Sequence, residues 1–571
     1  MRKQILLSHI LLSATLLLAA CNAENKQTAQ NEATVNEPMG MTGLIIPDDE
    51  RDAASTATAS AEEKRNIAPA ATFPVPGQAQ DFHITEPMLL PVPQNTENYA
   101  HTDDNPVKRV AEAPVSTFAI DVDTGSYANL RRFLMNGQKP PSDAVRVEEM
   151  LNYFSYDYKG PRDAGIPFRA DADVMTTPWN PDTKLLRVSI KGYEPPREHR
   201  PAANLVFLID VSGSMQDADK LPLLKTGMKM LVDQLGPNDK VSIVTYAGAA
   251  GLVLAPTSGG EKETIRAAID GLEAGGSTAG GEGIQLAYAK AREARIGDGI
   301  NRIVLATDGD FNVGLTDLDA LKKMVEENRK SGIALSTIGF GEGNYNDALM
   351  EQIADIGNGN YGYVDSLKEA KRLLVDGLQG NLQTIAKDVK VQVEFNPAIV
   401  AEYRLIGYEN RALNREDFNN DKKDAGEIGA GHSVTALYEI ALVGSKGLNV
   451  DPLRYQDEGT PPKAGNDRTT RTDEFALLRL RYKAPEGDVS KLIETPLPSS
   501  WLTRADAPAV DDKFAAAVAA FGQYLKGGER LGQYDLDQIA SLAREGRGED
   551  TGGYRAEFID LVELTKAMGG S

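Results

Sequence analysis

Sulfur and imidazole are scarce in this sequence. A single cysteine in 571 residues excludes an internal disulfide framework and any cysteine-based zinc site. The five histidines, His9, His83, His101, His199 and His432, are scattered without metal-ligand spacing. Positive charge is also in short supply: 83 acidic side chains face 61 basic ones, a net charge of −22. That balance argues against a nucleic-acid backbone as the main partner, and against binding anionic lipid through a basic patch. After the N-terminus no stretch reaches about 18 apolar residues, the length a membrane helix needs. No repeat of fixed period is present. There is no Gly-x-Ser-x-Gly elbow and no P-loop. Only two tryptophans occur, and Trp179 and Trp501 read as core or domain-contact residues.

What the chain does have begins with a targeting segment. Arg2 and Lys3 form a short basic region, and residues 5–18 form an apolar one of signal-peptide length. Leu18-Ala19-Ala20-Cys21 then resembles a bacterial lipobox, in which the cysteine is acylated and becomes the mature N-terminus. The only cysteine of the chain falls at that cleavage point, and acylation gives a lone thiol in an exported protein a use. Residues 1–20 are thus expected to be a lipoprotein signal peptide and Cys21 the lipidation site. Asn22 follows, which in a Gram-negative cell resembles the pattern sorted to the outer membrane. The expected location is the cell envelope.

Residues 21–108 are rich in Ala, Thr, Asn, Gln, Glu and Pro and poor in aromatic and β-branched residues. Such a segment cannot bury enough apolar area to offset its ordering entropy, so it reads as a disordered tether. From about residue 109 the texture changes. Residues 116–121 and 185–190 read as strands, and 128–135 and 147–154 as short helices; this flank is taken as 109–200. A strict strand–helix alternation follows over 201–380. Short, near-continuous apolar runs at 205–209, 241–245, 303–307 and 333–338 fit strands buried on both faces of a parallel sheet. Amphipathic stretches at 221–235, 284–294, 318–329 and 347–356 lie between them. Repeated βα units of this kind predict a doubly wound, mostly parallel α/β sheet. Over 381–571 the alternation stops. Val389, Val391, Val393 and Phe395 have period two, and 433–443 and 475–482 are further strands. The last 60 or so residues return to helical period. A β-rich scaffold is therefore expected to flank the α/β unit, with a helical segment at the C-terminus.

The first strand of the α/β region delivers Asp210, Ser212 and Ser214, at spacing two, into a Gly-containing loop before a helix. In doubly wound sheets ligands bind outside the carboxyl ends of the strands. Two further loops open onto the same crevice: Gly275-Gly276-Ser277-Thr278-Ala279-Gly280 before a helix, and Thr307-Asp308-Gly309 after a strand. Asp210, Ser212, Ser214, Thr278 and Asp308 are all hard oxygen donors, suited to Mg²⁺, Mn²⁺ or Ca²⁺ and not to zinc or copper. Taken singly, each loop also reads as a set of turn and N-cap residues, where Asp, Ser and Thr are favoured anyway.

Asp-x-Ser-x-Ser, a distal Thr and a Thr-Asp-Gly loop together resemble the metal-ion-dependent adhesion site of von Willebrand factor type A domains. The resemblance runs over about residues 204–378. It implies that Ser212, Ser214 and Thr278 bind the ion directly and that Asp210 and Asp308 act largely through water. It also implies that an acidic side chain of a protein partner fills the open coordination position. Thr117 to Asn129, residues 147–156 and Gly429 to Glu439 resemble the flanking domains of bacterial surface lipoproteins with type A domains. Non-enzymatic binding is expected, because the constellation has no general base beyond the ligands themselves. The competing readings are a metal-stabilised envelope scaffold and a metal-dependent hydrolase.

Three further matches read as decoys. Asp123-Thr124-Gly125 and Asp550-Thr551-Gly552 match the aspartic-protease signature, but the second lacks the buried strand that such a carboxylate needs. Gly357 to Gly362 matches Gly-x-Gly-x-x-Gly, yet follows a helix and precedes a strand, so it reads as a helix stop and turn. Residues 417–427 hint at a calcium loop but carry Lys422 where an EF-hand needs glycine.

Overall fold

The computed structural model describes residues 95–569 apart from 197–199, 277–279, 310–317, 452 and 454–472. The signal peptide, Cys21 and most of the tether lie outside the described residues. Among the described residues no helix is long and apolar enough to cross a membrane.

The chain starts with four strands and two helices: β1 (Lys108–Arg109), β2 (Val115–Ala119), α1 (Gly125–Met135), α2 (Val147–Tyr153), β3 (Phe168–Thr176) and β4 (Lys184–Gly192). The α/β unit follows. Its strands are β5 (Ala203–Asp210), β6 (Lys240–Tyr246), β7 (Ala250–Ser258), β8 (Ile300–Thr307), β9 (Ala334–Phe340) and β10 (Tyr361–Val364). Its helices are α3 (Leu221–Gln234), α4 (Lys262–Asp270), α5 (Gly280–Glu293), α6 (Leu318–Lys330), α7 (Asp347–Ile356), α8 (Leu367–Lys371) and α9 (Leu378–Leu382), with a π-helical turn at Arg372–Asp376. The last part contains β11 (Thr384–Phe395), β12 (Val400–Ile406), β13 (Ala412–Leu413), β14 (Gly426–Gly429), β15 (Ser433–Leu442), β16 (Glu474–Lys483), β17 (Ser490–Pro498), α10 (Val510–Leu525), α11 (Leu536–Glu545) and α12 (Tyr554–Gly569).

The α/β unit is a sheet of order β10-β9-β8-β5-β6-β7, parallel except for the antiparallel edge strand β7. β5 is buried at every position, which is why its sequence is apolar without alternation from Leu205 to Ile209. One core packs α3 against Leu205, Phe207 and Val304, and another packs α5, α6 and α7 against Val206, Leu208 and Leu305.

The remaining strands form two antiparallel sheets, β1-β12-β15-β4-β3 and β13-β2-β11-β16-β17, with β14 paired to β11. Strands from before and after the α/β unit pair with one another within each: β4 pairs with β15 and β2 with β11. Residues 109–200 and 381–571 thus share both sheets, and the α/β unit is an insertion between them. Phe118, Val391 and Leu478 from one sheet meet Leu186, Tyr403 and Tyr438 from the other in a common core. Leu185 and Leu437, on the outer face of the five-stranded sheet, are covered by α2 and α10–α12. Lys390 and Gln392, between the period-two apolar residues of β11, are buried too, because β11 is central in its sheet.

Residues 95–108, which composition places in the tether, are held to the fold. Thr96 and Asn98 donate backbone hydrogen bonds to Gly343 O (2.8 Å) and Tyr345 O (2.9 Å), and Arg132 grips Glu97 at 2.9 Å. The boundary differs because local composition does not register a short segment fixed by partners more than 200 residues away.

Buried arginines fasten the insertion. Arg131 of α1 binds Asp365 at 2.6 Å, Glu369 at 2.9 Å and Glu557 at 2.7 Å. Arg146 donates to Asp347 at 2.6 Å and also pairs with Glu149. Arg411, just ahead of β13, reaches Asp355 at 2.6 Å and lies 3.5 Å from Asp123 and from Glu351. Removing one partner of a buried pair strands the other charge, at a cost of about 3–5 kcal/mol. Arg146→Ala is therefore expected to lower unfolding stability by about that amount. Arg169→Ala, which breaks a half-exposed pair with Asp171, is expected to cost less than about 1 kcal/mol. Urea denaturation of both variants checks this, and equal losses would refute it.

Acid groups caught in the same region respond to pH. Burial, with the charges of Glu409 and Asp121, pushes the Glu148 carboxyl up to about 8 from its ordinary 4.5. Between those values the folded state holds a proton that the unfolded chain has lost. The contribution to stability is therefore full at low pH and falls as pH rises from about 4.5 to about 8. Glu148→Gln should accordingly raise the melting temperature more at pH 8 than at pH 5; a gain no larger at pH 8 would count against the account.

Candidate metal centre

The C-terminal ends of β5 and β8 bring Asp210 and Asp308 to one edge of the parallel sheet, and both carboxylates are fully buried. Asp210 is held by donors on every side. Oδ1 accepts from Ser212 N at 2.8 Å, and Oδ2 accepts from Thr307 Oγ1 at 2.9 Å and Tyr246 OH at 3.3 Å. Burial, reinforced by the charge of Asp308, pushes its carboxyl above the ordinary range against those hydrogen bonds. The Ser212 and Ser214 hydroxyls are 3.0 Å apart, the first buried and the second exposed. Spacing two places them side by side because the loop turns into a short 3₁₀ helix at Gly213–Gln216. Gly213 N donates to Gly276 O at 3.2 Å and Gly275 N to Val211 O at 2.7 Å, so the second loop is tied against the first. Thr278 lies outside the described residues.

Asp308 is held differently. Its Oδ2 accepts from Lys220 Nζ at 3.0 Å, while its buried Oδ1 has no hydrogen-bond partner among the described residues. Gly309, at φ +96°, closes the turn, and a Cβ there would stand 2.5 Å from Asn346 N. Only glycine fits that backbone conformation and that approach.

Four of the five expected ligands thus sit on two adjoining loops, the first of which also touches the third. Among the described residues no group of three or more His, Cys, Asp or Glu side chains is placed to hold a metal ion. A cation here would depend on hydroxyls together with the two carboxylates. That donor set, with the unpartnered Asp308 Oδ1, fits a hard divalent ion. Lys220, Tyr246 and Thr307 are the site residues that pattern reading missed. Thr307 stands inside the quoted Thr-Asp-Gly motif, but its bond to Asp210 comes from the pairing of β5 with β8. Lys220 carries no local signal.

The decoys resolve into structural roles. Asp123 Oδ1 accepts from Tyr361 N at 2.8 Å, and Asp550 accepts from the first-turn amides of α12 (Arg555 N at 3.2 Å, Ala556 N at 2.8 Å). Gly357 ends α7 and Tyr361 opens β10. Asp421, in the acidic loop, is engaged by Arg481 at 3.0 Å and by Ser490. Trp179 is buried and donates to Glu439 at 3.2 Å, and Trp501 packs half-buried on the sandwich core.

A doubly wound sheet with this loop set defines a von Willebrand factor type A domain, and the family model of that domain matches residues 204–375. Domains of this class commonly mediate protein–protein interaction, and they typically hold a divalent metal at this site. A model described as von Willebrand factor matches residues 93–187, and one described as uncharacterized protein YfbK, C-terminal, matches residues 380–568. The chain belongs to the family of the uncharacterized protein YfbK of Escherichia coli (strain K12). It is 48% identical to that protein over 505 residues, which cover 87% of this chain and 85% of the relative. An uncharacterized Synechocystis protein, sll0103, is 23% identical over 393 residues, 65% of this chain and 87% of that one. The solved structure of a von Willebrand factor type A protein from Catenulispora acidiphila is 15% identical. It covers 70% of this chain and 91% of its own, at a TM-score of 0.37.

Proposed function

We propose that this protein is a lipid-anchored, non-enzymatic binding protein of the cell envelope, at the outer membrane if the cell is Gram-negative. It captures a protein partner through a divalent ion, Mg²⁺ by preference or Mn²⁺ or Ca²⁺, held by Asp210, Ser212, Ser214, Thr278 and Asp308. The observation that carries the reading is the pair of convergent serine hydroxyls on the Asp210 loop, with two buried carboxylates, Asp210 and Asp308, at the carboxyl ends of adjacent parallel strands. Ser212, Ser214 and Thr278 would hold the ion, and Asp210 and Asp308 would supply its neutralising charge. The hydrogen bonds from Ser212, Thr307 and Tyr246 keep Asp210 in place for that role. The ion when bound supplies a Lewis-acidic position for a partner carboxylate, a charge-assisted contact that an acidic protein otherwise lacks.

With two protein carboxylates and an open position, the site should bind metal weakly, with Kd on the order of 10⁻⁴ M or higher. Ser214 is exposed, so Ser214→Ala should change stability in EDTA by less than about 0.5 kcal/mol. The same change should weaken Mg²⁺ binding in calorimetry and abolish Mg²⁺-dependent capture of envelope proteins; Thr278→Ala should do likewise. Capture that ignores both EDTA and these substitutions would leave the scaffold reading, and nanomolar Mg²⁺ affinity would refute the open site. Turnover of esters or phosphoesters that is lost with EDTA would point to the hydrolase.

Anchoring is tested separately. Cys21→Ser should remain unacylated and leave the detergent phase on partitioning, and unchanged partitioning would refute the lipid anchor.

A further inference from the structure

Strand β8 crosses the middle of the α/β sheet, yet its third residue is Arg302. Ile303 and Leu305 pack on one face of the sheet and Val304 and Ala306 on the other, so Arg302 shares the face of Val304. Only 4% of it is exposed. Nη1 donates to Ser336 Oγ at 2.7 Å and to Asn360 Oδ1 at 3.4 Å, while the buried Nε has no hydrogen-bond partner among the described residues. Among the described residues no carboxylate forms an ion pair with it. Burial pulls the guanidinium down to about 10, and Glu427 is the one charge acting against that. Burial in turn pushes Glu427 up to about 8, so near neutrality that carboxyl is largely protonated and offers little counter-charge. A buried cation without an ion pair is costly, and two neutral acceptors with Glu427 offset that cost only in part.

Arg302 lines a cavity of about 790 Å³ between the α/β unit and the sandwich, a volume within the range of small-molecule sites. Leu205, Phe207, Val304, Ile338 and Leu374 give it an apolar wall. Lys191, Arg372 and His432 face the same space. Burial first, and then the charges of Lys191, Arg302 and Arg372, lower His432 to about 4, so the histidine is neutral and the field around it positive. Its Nδ1 is also buried without a partner among the described residues. Most other charges of the lining are engaged, Arg200 by Asp239 and Arg555 by Asp511 among them, whereas Glu194 and Glu549 form no ion pair among the described residues. Arg372 pairs with Glu369 at 2.6 Å, Asp376 with Lys371 at 2.7 Å, and Asp550 caps α12. Lys191 donates to Ser433 Oγ at 3.2 Å and to Gly431 O, with Glu194 as its nearby opposite charge.

We propose that this cavity binds a small amphipathic monoanion, with a carboxylate head on Arg302 and an apolar body along the Leu205–Phe207–Val304 wall. Arg302 lines the cavity, and a planar guanidinium suits a carboxylate's two oxygens. The carboxylates Glu194 and Glu549 on the lining disfavour a ligand of higher charge. The site is separate from the metal centre: Arg302 lies six residues before Asp308, roughly 20 Å along an extended strand.

The probe is octanoate, added to the full chain carrying Cys21→Ser so that no detergent competes. Calorimetry should give saturable binding of one equivalent. Octanol, which has the same body without the charge, should bind at least about tenfold more weakly, as should octanoate to Arg302→Gln, because a charge-assisted bond is worth about that factor. Without ligand, Arg302→Gln should melt no lower than the parent, since it removes an uncompensated charge and retains a donor for Ser336. Absence of octanoate binding at millimolar concentration, equal binding of octanol, or equal binding of inorganic phosphate would each overturn the proposal. The octanol and phosphate comparisons use the unmutated site, so they decide the matter even if Arg302→Gln fails to fold.

Discussion

Three buried guanidinium groups orient the inserted α/β unit on the rest of the molecule. Arg131, Arg146 and Arg411 all come from the sandwich side of the chain, and each reaches across to carboxylates of the inserted α/β unit at Asp347, Glu351, Asp355, Asp365 or Glu369. The insertion is joined to the rest by only two covalent connections, and apolar contacts alone are non-directional. The arginine forks are what specify one orientation, because a fork satisfies two carboxylate oxygens in only one pose. Tyrosine hydroxyls complete the arrangement, as where Tyr153 OH donates to Glu369 at 2.7 Å.

The metal face depends on that clamp through adjacent residues. Asp347, gripped by Arg146, directly follows Asn346, whose amide lies against Gly309 in the Thr-Asp-Gly turn. Asn346 also receives Asn98 Nδ2 at 3.1 Å, so the segment at 95–99 supports the same loop. On the other flank, Lys220 sits against Gly341, and its ammonium ion covers half of the Asp308 carboxylate. The two acidic residues of the site are therefore in unlike states. Asp210 is saturated by neutral donors, whereas Asp308 is balanced by a charge and keeps one oxygen unused.

Much of this was readable in the sequence, and the exceptions share a cause. β5, β8 and β9 announce themselves as β-branched runs because they are buried on both faces. β7 does not: it is an edge strand with Leu252 and Val253 half exposed and Pro256 within it. β10 has only four residues, too few for any period to show. The βα order and the Asp-x-Ser-x-Ser loop place Asp210, Ser212 and Ser214, since all are local in the chain. The pairing of β2 with β11 and of β4 with β15 joins residues more than 240 positions apart, and no local signal carries it. Arg302 is hidden for the same reason. In the sequence it reads as one polar residue at the start of a strand, and only the packing of the sandwich against the sheet turns it into a buried charge.

The insertion topology also has a mechanical meaning. β4 leads into the α/β unit and β11 leads out of it, and these two strands belong to different sheets of one sandwich. The N-terminal segment joins that sandwich through β1, at the edge of the sheet that contains β4. A load applied between the metal loops and the chain ahead of Thr96 first meets the backbone hydrogen bonds of Thr96 and Asn98 to Gly343 and Tyr345, and beyond them enters the ladders of both sheets through β1, β4 and β11. The arginine clamps are left to resist rotation of the insertion, a lighter duty, and one better matched to bonds whose strength lies in their direction.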